Sequence, residues 1–339
     1  VNIMALMART AALTNYLELC TQLALNPLPL LNEFALSKAM LKNPELRIPM
    51  TVVAKLLEAS AKASGCETFG LRMAESRQLS SFGAISLLLT HQPTLRDALT
   101  TIGQYRHLLN ESLAMDISET DKIVIIREEI TIDPATPKRQ SIELAIGVLH
   151  RLCSALLGKS WRPQSVSFTH NAPADLNVHR RVFGCNVEFN CQFNGIVCLV
   201  ADLNTANPTA DPVMANYARE FFEALPGASK GSTLNEVRQA IYLLLPMDRA
   251  SISLVAQSLD VNVRTLQRRL EDSGVSFSEL HDQVRRELLN RYMANPRYSF
   301  SQVAGLLGYS TPSSFTRWFT AQYGMTPTAW RRQNLDYQE

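Results

Sequence analysis

The sequence predicts an α+β N-terminal domain joined to an all-α C-terminal domain that contains two helix-turn-helix units. Three observations predict this. Strand-like and helix-like stretches mix as far as about residue 210. A segment of small and polar residues, "PGASKGS" at 226–232, then interrupts the pattern as a linker would. Beyond Thr233 the apolar spacing is helical, and one unit of it occurs twice. The 339 residues suit two domains of ordinary size, divided as 1–225 and 233–339 around the linker 226–232.

Element by element, "VNIMALMARTAAL" at the start lacks the basic cluster of a signal peptide, and Arg9 breaks its apolar run, so it reads as helix. "TVVAKLLEASAKA" (51–63) and "LRDALTTIGQYRHLL" (95–109) carry apolar residues at helical spacing. "DKIVIIREEITI" (121–132) is rich in β-branched residues and reads as a strand, and "SIELAIGVLHRLCSALLG" (141–158) as a long apolar helix. In "QSVSFTH" (164–170) Val166 and Phe168 share one face. "CNVEFN" (185–190) and "GIVCLVA" (195–201) read as a strand pair joined by a short loop containing Asn194 and Gly195. A helix follows from Pro212 to about Leu225.

The repeat lies in "ISLVAQSLDVNVRTLQRRL" (252–270) and "FSQVAGLLGYSTPSSFTRWF" (300–319). Ile252, Val255, Ala256 and Leu259 match Phe300, Val303, Ala304 and Leu307 at an offset of 48, the i, i+3, i+4, i+7 face of a helix. Ala256 and Ala304 are small enough to let a second helix cross closely. The second helices match at an offset of 49, with Leu266, Arg268 and Leu270 opposite Phe315, Arg317 and Phe319, so the second turn holds one extra residue. Gly308 suits a left-handed turn position, and Asp260 occupies that place in the first copy. Asn262 and Thr311 are the expected caps of the two recognition helices, which makes Pro312 a first helical residue, where a missing N–H costs nothing. Between the copies, Ser276 and Glu279 have capping-box spacing, and Phe277, Leu280, Val284, Leu288 and Tyr292 form one stripe ending at Pro296. "GMTPTAWRR" (324–332) starts a last helix with Thr326 and Pro327.

Carried by "VNVRTLQRRL", "GYSTPSSFTRWF" and "GMTPTAWR", the C-terminal region resembles the tandem helix-turn-helix domain of the AraC/XylS family of bacterial transcription regulators. Residues 145–213 resemble the OruR/VirS subgroup of that family through "GKSWRPQSVSFTH", "HRRVFGCNVEFN" and the end "ADP". The resemblance implies an effector-sensing or dimerising N-terminal domain, and activation through contact with RNA polymerase.

A recognition helix sets a few side chains near its N-terminus against base edges of double-stranded DNA. With Leu266 and Phe315 turned inward, the outward residues are Arg264, Thr265, Gln267 and Arg268 in the first helix and Ser313, Ser314, Thr316 and Arg317 in the second. The resemblance supports these as the base-reading face. The net charge is only +2, but from Thr233 onward there are twelve arginines and no lysine against ten carboxylates. Arginine makes forked bonds to phosphate and guanine. Arg331 and Arg332 are further phosphate candidates, with a plain charged chain end as the competing reading.

The N-terminal domain is less legible. No phosphate-cradling glycine loop, GxSxG or HExxH motif occurs, so neither cofactor nor catalytic chemistry is expected. Cys185, Cys191 and Cys198, near His170 and His179, are spaced too widely for the usual metal-ligand pairs, and packing within strands is the favoured reading. The six cysteines lack tight pairing and read as free thiols of a reducing cytoplasm. No apolar run approaches the roughly 20 residues needed to cross a bilayer. A small organic effector is expected between the long helix and the strands, with Arg72, Tyr105, Arg106 and His107 as weak candidates for orienting it. A constitutive DNA-binding homodimer without ligand, and a bifunctional protein with a catalytic N-terminal domain, are the rival readings.

Overall fold

In the strand "IVIIREEI" every second side chain faces inward, burying Val124, Ile126 and Ile130. Glu128 lies in the same inward row, and burial pushes its carboxyl up to about 8. The computed structural model describes residues 5–223 and 232–335. The chain divides into two units, Val1–Gly231 and Ser232–Glu339, each with its own core.

In the first unit β1 (Met7–Arg9) pairs antiparallel with β2 (Arg47–Pro49), Ala8 opposite Ile48. The helix expected at the N-terminus is thus a strand, followed by a 3₁₀ turn at Thr10–Leu13. Pairing with a segment some forty residues away overrides the local pattern. The main sheet comprises β3 (Leu113–Glu119), β4 (Ile123–Ile130), β5 (Ser165–Ser167), β6 (Asn186–Glu188) and β7 (Gly195–Leu199), in the order β3-β4-β7-β5-β6. The expected hairpin of β6 with β7 does not form. The helix Asn177–Phe183 carries the chain from β5 to β6, which pair in parallel, and β7 runs antiparallel between β4 and β5. The residues after β6 bond back to the end of β5, with the Cys191 N–H donating to the Phe168 carbonyl at 2.9 Å. Asn194 fixes the approach of β7. Its amide oxygen accepts from the Thr169 N–H at 2.8 Å, and its amide nitrogen donates to Glu129 Oε2 at 3.1 Å.

Helices Met50–Ser64, Phe69–Glu75 and Leu95–Leu109 surround the central helix Arg139–Leu157. That helix has the length and apolarity of a membrane span, but its most apolar window is 67% buried in the core. It crosses Phe69–Glu75 at close range through two glycines. A Cβ on Gly70 would strike the Gln140 carbonyl, and one on Gly147 would strike Ala74. The helix after Pro212 runs Pro212–Glu223. Residues 226–231 of the expected linker lie outside the described residues.

The second unit is all helical: Thr233–Leu244, Ile252–Ser258, Val263–Asp272, Phe277–Met293, Phe300–Leu306, Pro312–Tyr323 and Pro327–Leu335. The stripe Leu280, Val284, Leu288 and Tyr292 is buried, and the Ser276–Glu279 capping box forms. Arg238 on the first helix pairs with Glu287 on the central spacer at 2.6 Å.

Candidate nucleic-acid interface

Both copies of the repeat fold as helix, turn, helix. Val255 and Ala256 in the first copy, and Val303 and Ala304 in the second, are buried at the crossing. The same hydrogen bond closes both turns: the Val261 N–H donates to the Ala256 carbonyl at 3.0 Å and the Tyr309 N–H to the Ala304 carbonyl at 2.9 Å. The left-handed position is Asp260 (φ 53°) in one and Gly308 (φ 73°) in the other. Two residues, Asp260 and Val261, separate the C-cap Leu259 from the N-cap Asn262, whereas three, Gly308, Tyr309 and Ser310, separate Leu307 from Thr311. The repeat also reaches the first helices' caps, a match the apolar pattern could not show. Ser251 accepts from the Leu254 N–H at 3.3 Å, and Ser299 from the Gln302 N–H at 3.2 Å.

The recognition helices are capped as the sequence suggests. Asn262 Oδ1 accepts from the Thr265 N–H at 2.8 Å, and Thr311 Oγ1 from the Ser314 N–H at 3.2 Å. Pro312 is the first helical residue. With Leu266 and Phe315 fully buried, the outward faces are set in register. Arg264, Gln267 and Arg268 are exposed, and Thr265 is half-buried beside its cap. Ser313, Thr316 and Arg317 are exposed, and Ser314 is half-buried. Among the described residues no carboxylate pairs with Arg264, Arg268 or Arg317, so their guanidinium groups stay available.

The second face is chemically poorer. The Thr316 hydroxyl donates to the Pro312 carbonyl at 2.9 Å, and the Ser314 and Thr311 hydroxyls lie 2.8 Å apart. Ser313 and Arg317 are the members whose side chains are not tied to the helix's own start. The first helix keeps two forked guanidinium groups and one amide.

Two arginines have structural work that sequence spacing did not reveal. Arg285 on the spacer donates to the Leu307 carbonyl at 3.0 Å and to Asp282 at 2.8 Å, and its guanidinium sits 4.7 Å from the Tyr309 ring centre. It clamps the longer turn to the spacer. Burial pushes the Tyr309 hydroxyl up to about 12. Arg331, a phosphate candidate by sequence, instead donates to the Tyr298 carbonyl at 2.8 Å and stacks 4.3 Å from the Phe300 ring centre. Arg332 is exposed, and Trp318 packs on Tyr309 and Phe315.

In the N-terminal unit the four effector candidates do not converge. Arg72 is on the helix Phe69–Glu75, and the other three are on Leu95–Leu109, where Tyr105 packs against Phe222 and Arg106 bonds to the Gly103 carbonyl. Burial lowers the His107 pKa. None of the four lines the cavity between the β1 region and the long helix. His170 and His179 each place Nε2 3.4 Å from Glu143 Oε1. No group of three or more His, Cys, Asp or Glu able to hold a metal occurs among the described residues. Burial raises the Cys185 thiol to about 11 and Cys198 to about 12, the reverse of what a reactive thiolate needs.

Two family models match this chain, one within each unit. The arabinose-binding domain of AraC transcription regulators, N-terminal, matches residues 25–207, and a helix-turn-helix domain matches residues 255–333. The HTH-type transcriptional regulator VirS of Mycobacterium tuberculosis is 30% identical over 95% of this chain and 96% of its own. The ornithine utilization regulator of Pseudomonas aeruginosa is 21% identical over 86% of each chain. The crystal structure of the transcriptional regulator CdpR from Pseudomonas aeruginosa aligns with a TM-score of 0.42 at 22% identity, covering 90% of this chain and 96% of that one. The chain therefore belongs to the AraC family: it is a transcription regulator with a helix-turn-helix DNA-binding domain behind an arabinose-binding-like effector domain.

Proposed function

We propose that this chain is a cytoplasmic, non-catalytic activator of transcription, in which a small organic effector bound by residues 1–225 governs how residues 233–339 engage an operator. The observation that carries the reading is the matched pair of outward faces. Arg264, Thr265, Gln267 and Arg268 stand at the same helical positions as Ser313, Ser314, Thr316 and Arg317, in two units joined by one helix. Successive major grooves recur about 34 Å apart on one face of a duplex. The 17-residue spacer spans about 25 Å at 1.5 Å per residue, so the DNA bends or the units tilt to meet it. Forked donors and an amide suit guanine and adenine, so the first unit discriminates bases and the second mainly positions the backbone.

Effector binding shifts a pre-existing equilibrium between arrangements of the protein. Contact with RNA polymerase, implied by the family, completes activation. Pairing of two copies is supported by the helix Pro212–Glu223, where Val213, Met214, Tyr217 and Phe221 are 62, 45, 63 and 57% exposed, an apolar face that a second copy would cover. Footprinting on the DNA flanking the gene tests the reading. The expected result is protection in which each copy covers an asymmetric site of two segments about one helical turn apart, and a pair covers a direct or inverted repeat of it. Protection no better than on random DNA would sink it. A footprint indifferent to a broad metabolite panel would point to a constitutive dimer.

A further inference from the structure

The N-terminal unit contains a cavity of about 130 Å³. Apolar side chains of Met50, Val53, Leu144 and Val148 make up much of its wall, contributed by the helices Met50–Ser64 and Arg139–Leu157. Arg77 also lines it, is only 5% exposed, and has no carboxylate partner among the described residues. Its two terminal nitrogens donate to the Ala11 and Ala12 carbonyls at 2.6 and 2.7 Å, and its Nε has no acceptor. Burial lowers the Arg77 pKa to about 10, which still leaves it charged at neutral pH. A buried charge without a counter-ion is strongly disfavoured, and such groups concentrate at functional sites. Ser141 and Arg9 line the same cavity. The Ser141 hydroxyl and Arg9 Nε have no acceptor, and the carboxylate paired with Arg9, Glu45, is itself 66% exposed.

The wall therefore carries one positive charge without a carboxylate partner, beside an otherwise apolar space. A carboxylate meets that need, because it only accepts hydrogen bonds and carries the opposite charge. We propose that this cavity is the effector site and that it takes a compact, apolar monocarboxylic acid, with the carboxylate on Arg77 and the hydrocarbon against Val53, Leu144 and Val148. The size follows from the volume. The volume is slightly below the roughly 150 Å³ of an apolar cavity that accepts benzene, which favours a small ring or a short branched chain as the buried part of the ligand. A sugar fits poorly despite the description of the matching domain, because its hydroxyls would be buried against a hydrocarbon wall.

The proposal rests on the effector reading above and names its ligand class. It is tested with the full chain by calorimetric titration, alongside operator affinity. The probes are cyclohexanecarboxylate and 4-methylpentanoate, with cyclohexanecarboxamide, palmitate and L-arabinose as comparisons. The expected result is at least tenfold tighter binding of the two short acids than of any comparison, abolished in Arg77→Met. Because Arg77 also holds the Ala11 and Ala12 carbonyls, Val148→Phe is measured in parallel. It narrows the cavity without removing a polar side chain, and it too abolishes binding. Equal binding of acid and amide, binding that survives Val148→Phe, or no binding of either acid overturns the proposal. If the acids fail while L-arabinose alters operator affinity, the effector reading stands and only this ligand assignment falls. If the acids bind as expected but leave operator affinity unchanged, the site stands and the effector reading falls.

Discussion

The two helix-turn-helix units share a backbone plan and differ in what they spend their side chains on. The first is aliphatic inside, with Leu266 and Leu270 buried, and outside it presents Arg264, Gln267 and Arg268. The second is aromatic inside. Phe315 and Phe319 are fully buried and in ring contact with Tyr309, Trp318, Tyr323 and Trp330. Its outer face is mostly short hydroxyls, two of them engaged at the helix start. The longer turn is clamped by Arg285, and the last helix is held through Arg331. The difference teaches that copies of one motif can use their side chains differently: one keeps forked donors free on its outer face, and the other commits its hydroxyls, its turn and the last helix to contacts within the unit.

The largest effect should come from the aromatic interior. Phe315→Ala is expected to cost about 3–5 kcal/mol, more than Leu266→Ala at about 2–4 kcal/mol, read from the unfolding transition of the C-terminal unit. Equal losses would mean that the two interiors are equivalent supports. Next is the clamp. Arg285→Ala removes a charged hydrogen bond to a carbonyl and a ring contact, an expected loss of about 2 kcal/mol, with faster hydrogen exchange at Tyr309 and Ser310. An unchanged exchange pattern in that turn would remove Arg285 from the account. The smallest effect lies in the left-handed positions and has opposite signs. Asp260→Gly relieves an unfavourable backbone and stabilises by up to about 1 kcal/mol. Gly308→Ala destabilises by about 1 kcal/mol, since its Cβ would also sit 3.0 Å from Leu245 Cδ1.

The C-terminal unit was almost fully legible in the sequence, and the reason is local. Caps at Asn262 and Thr311, the proline at 312, the extra turn residue and the outward faces all follow from spacings within about ten residues, and helices obey such spacings. What escaped was long-range. Arg285 meets Leu307 across 22 residues, and Arg77 meets Ala11 across 66. The N-terminal sheet shows the same limit. Strand-forming residues in β6 and β7 were evident, but their partners are decided by the crossover helix and by β5, not by the short loop joining them. β3 was not recognised because Asp116, Ser118 and Glu119 dilute its alternation. Its place is fixed by pairing with β4, where Asp116 lies opposite Arg127 and bonds to it at 3.2 Å.

Division of labour between the recognition helices is most directly tested by operator selection with the full chain carrying Arg264→Ala or Arg317→Ala. Each is measured against a set of single-base operator variants and across a salt series. The expected result is asymmetric. Arg264→Ala loses about 1–3 kcal/mol of discrimination at one or two positions, whereas Arg317→Ala weakens all sequences alike and lowers the salt slope by about one. Equal loss of base discrimination in the two variants would contradict the account.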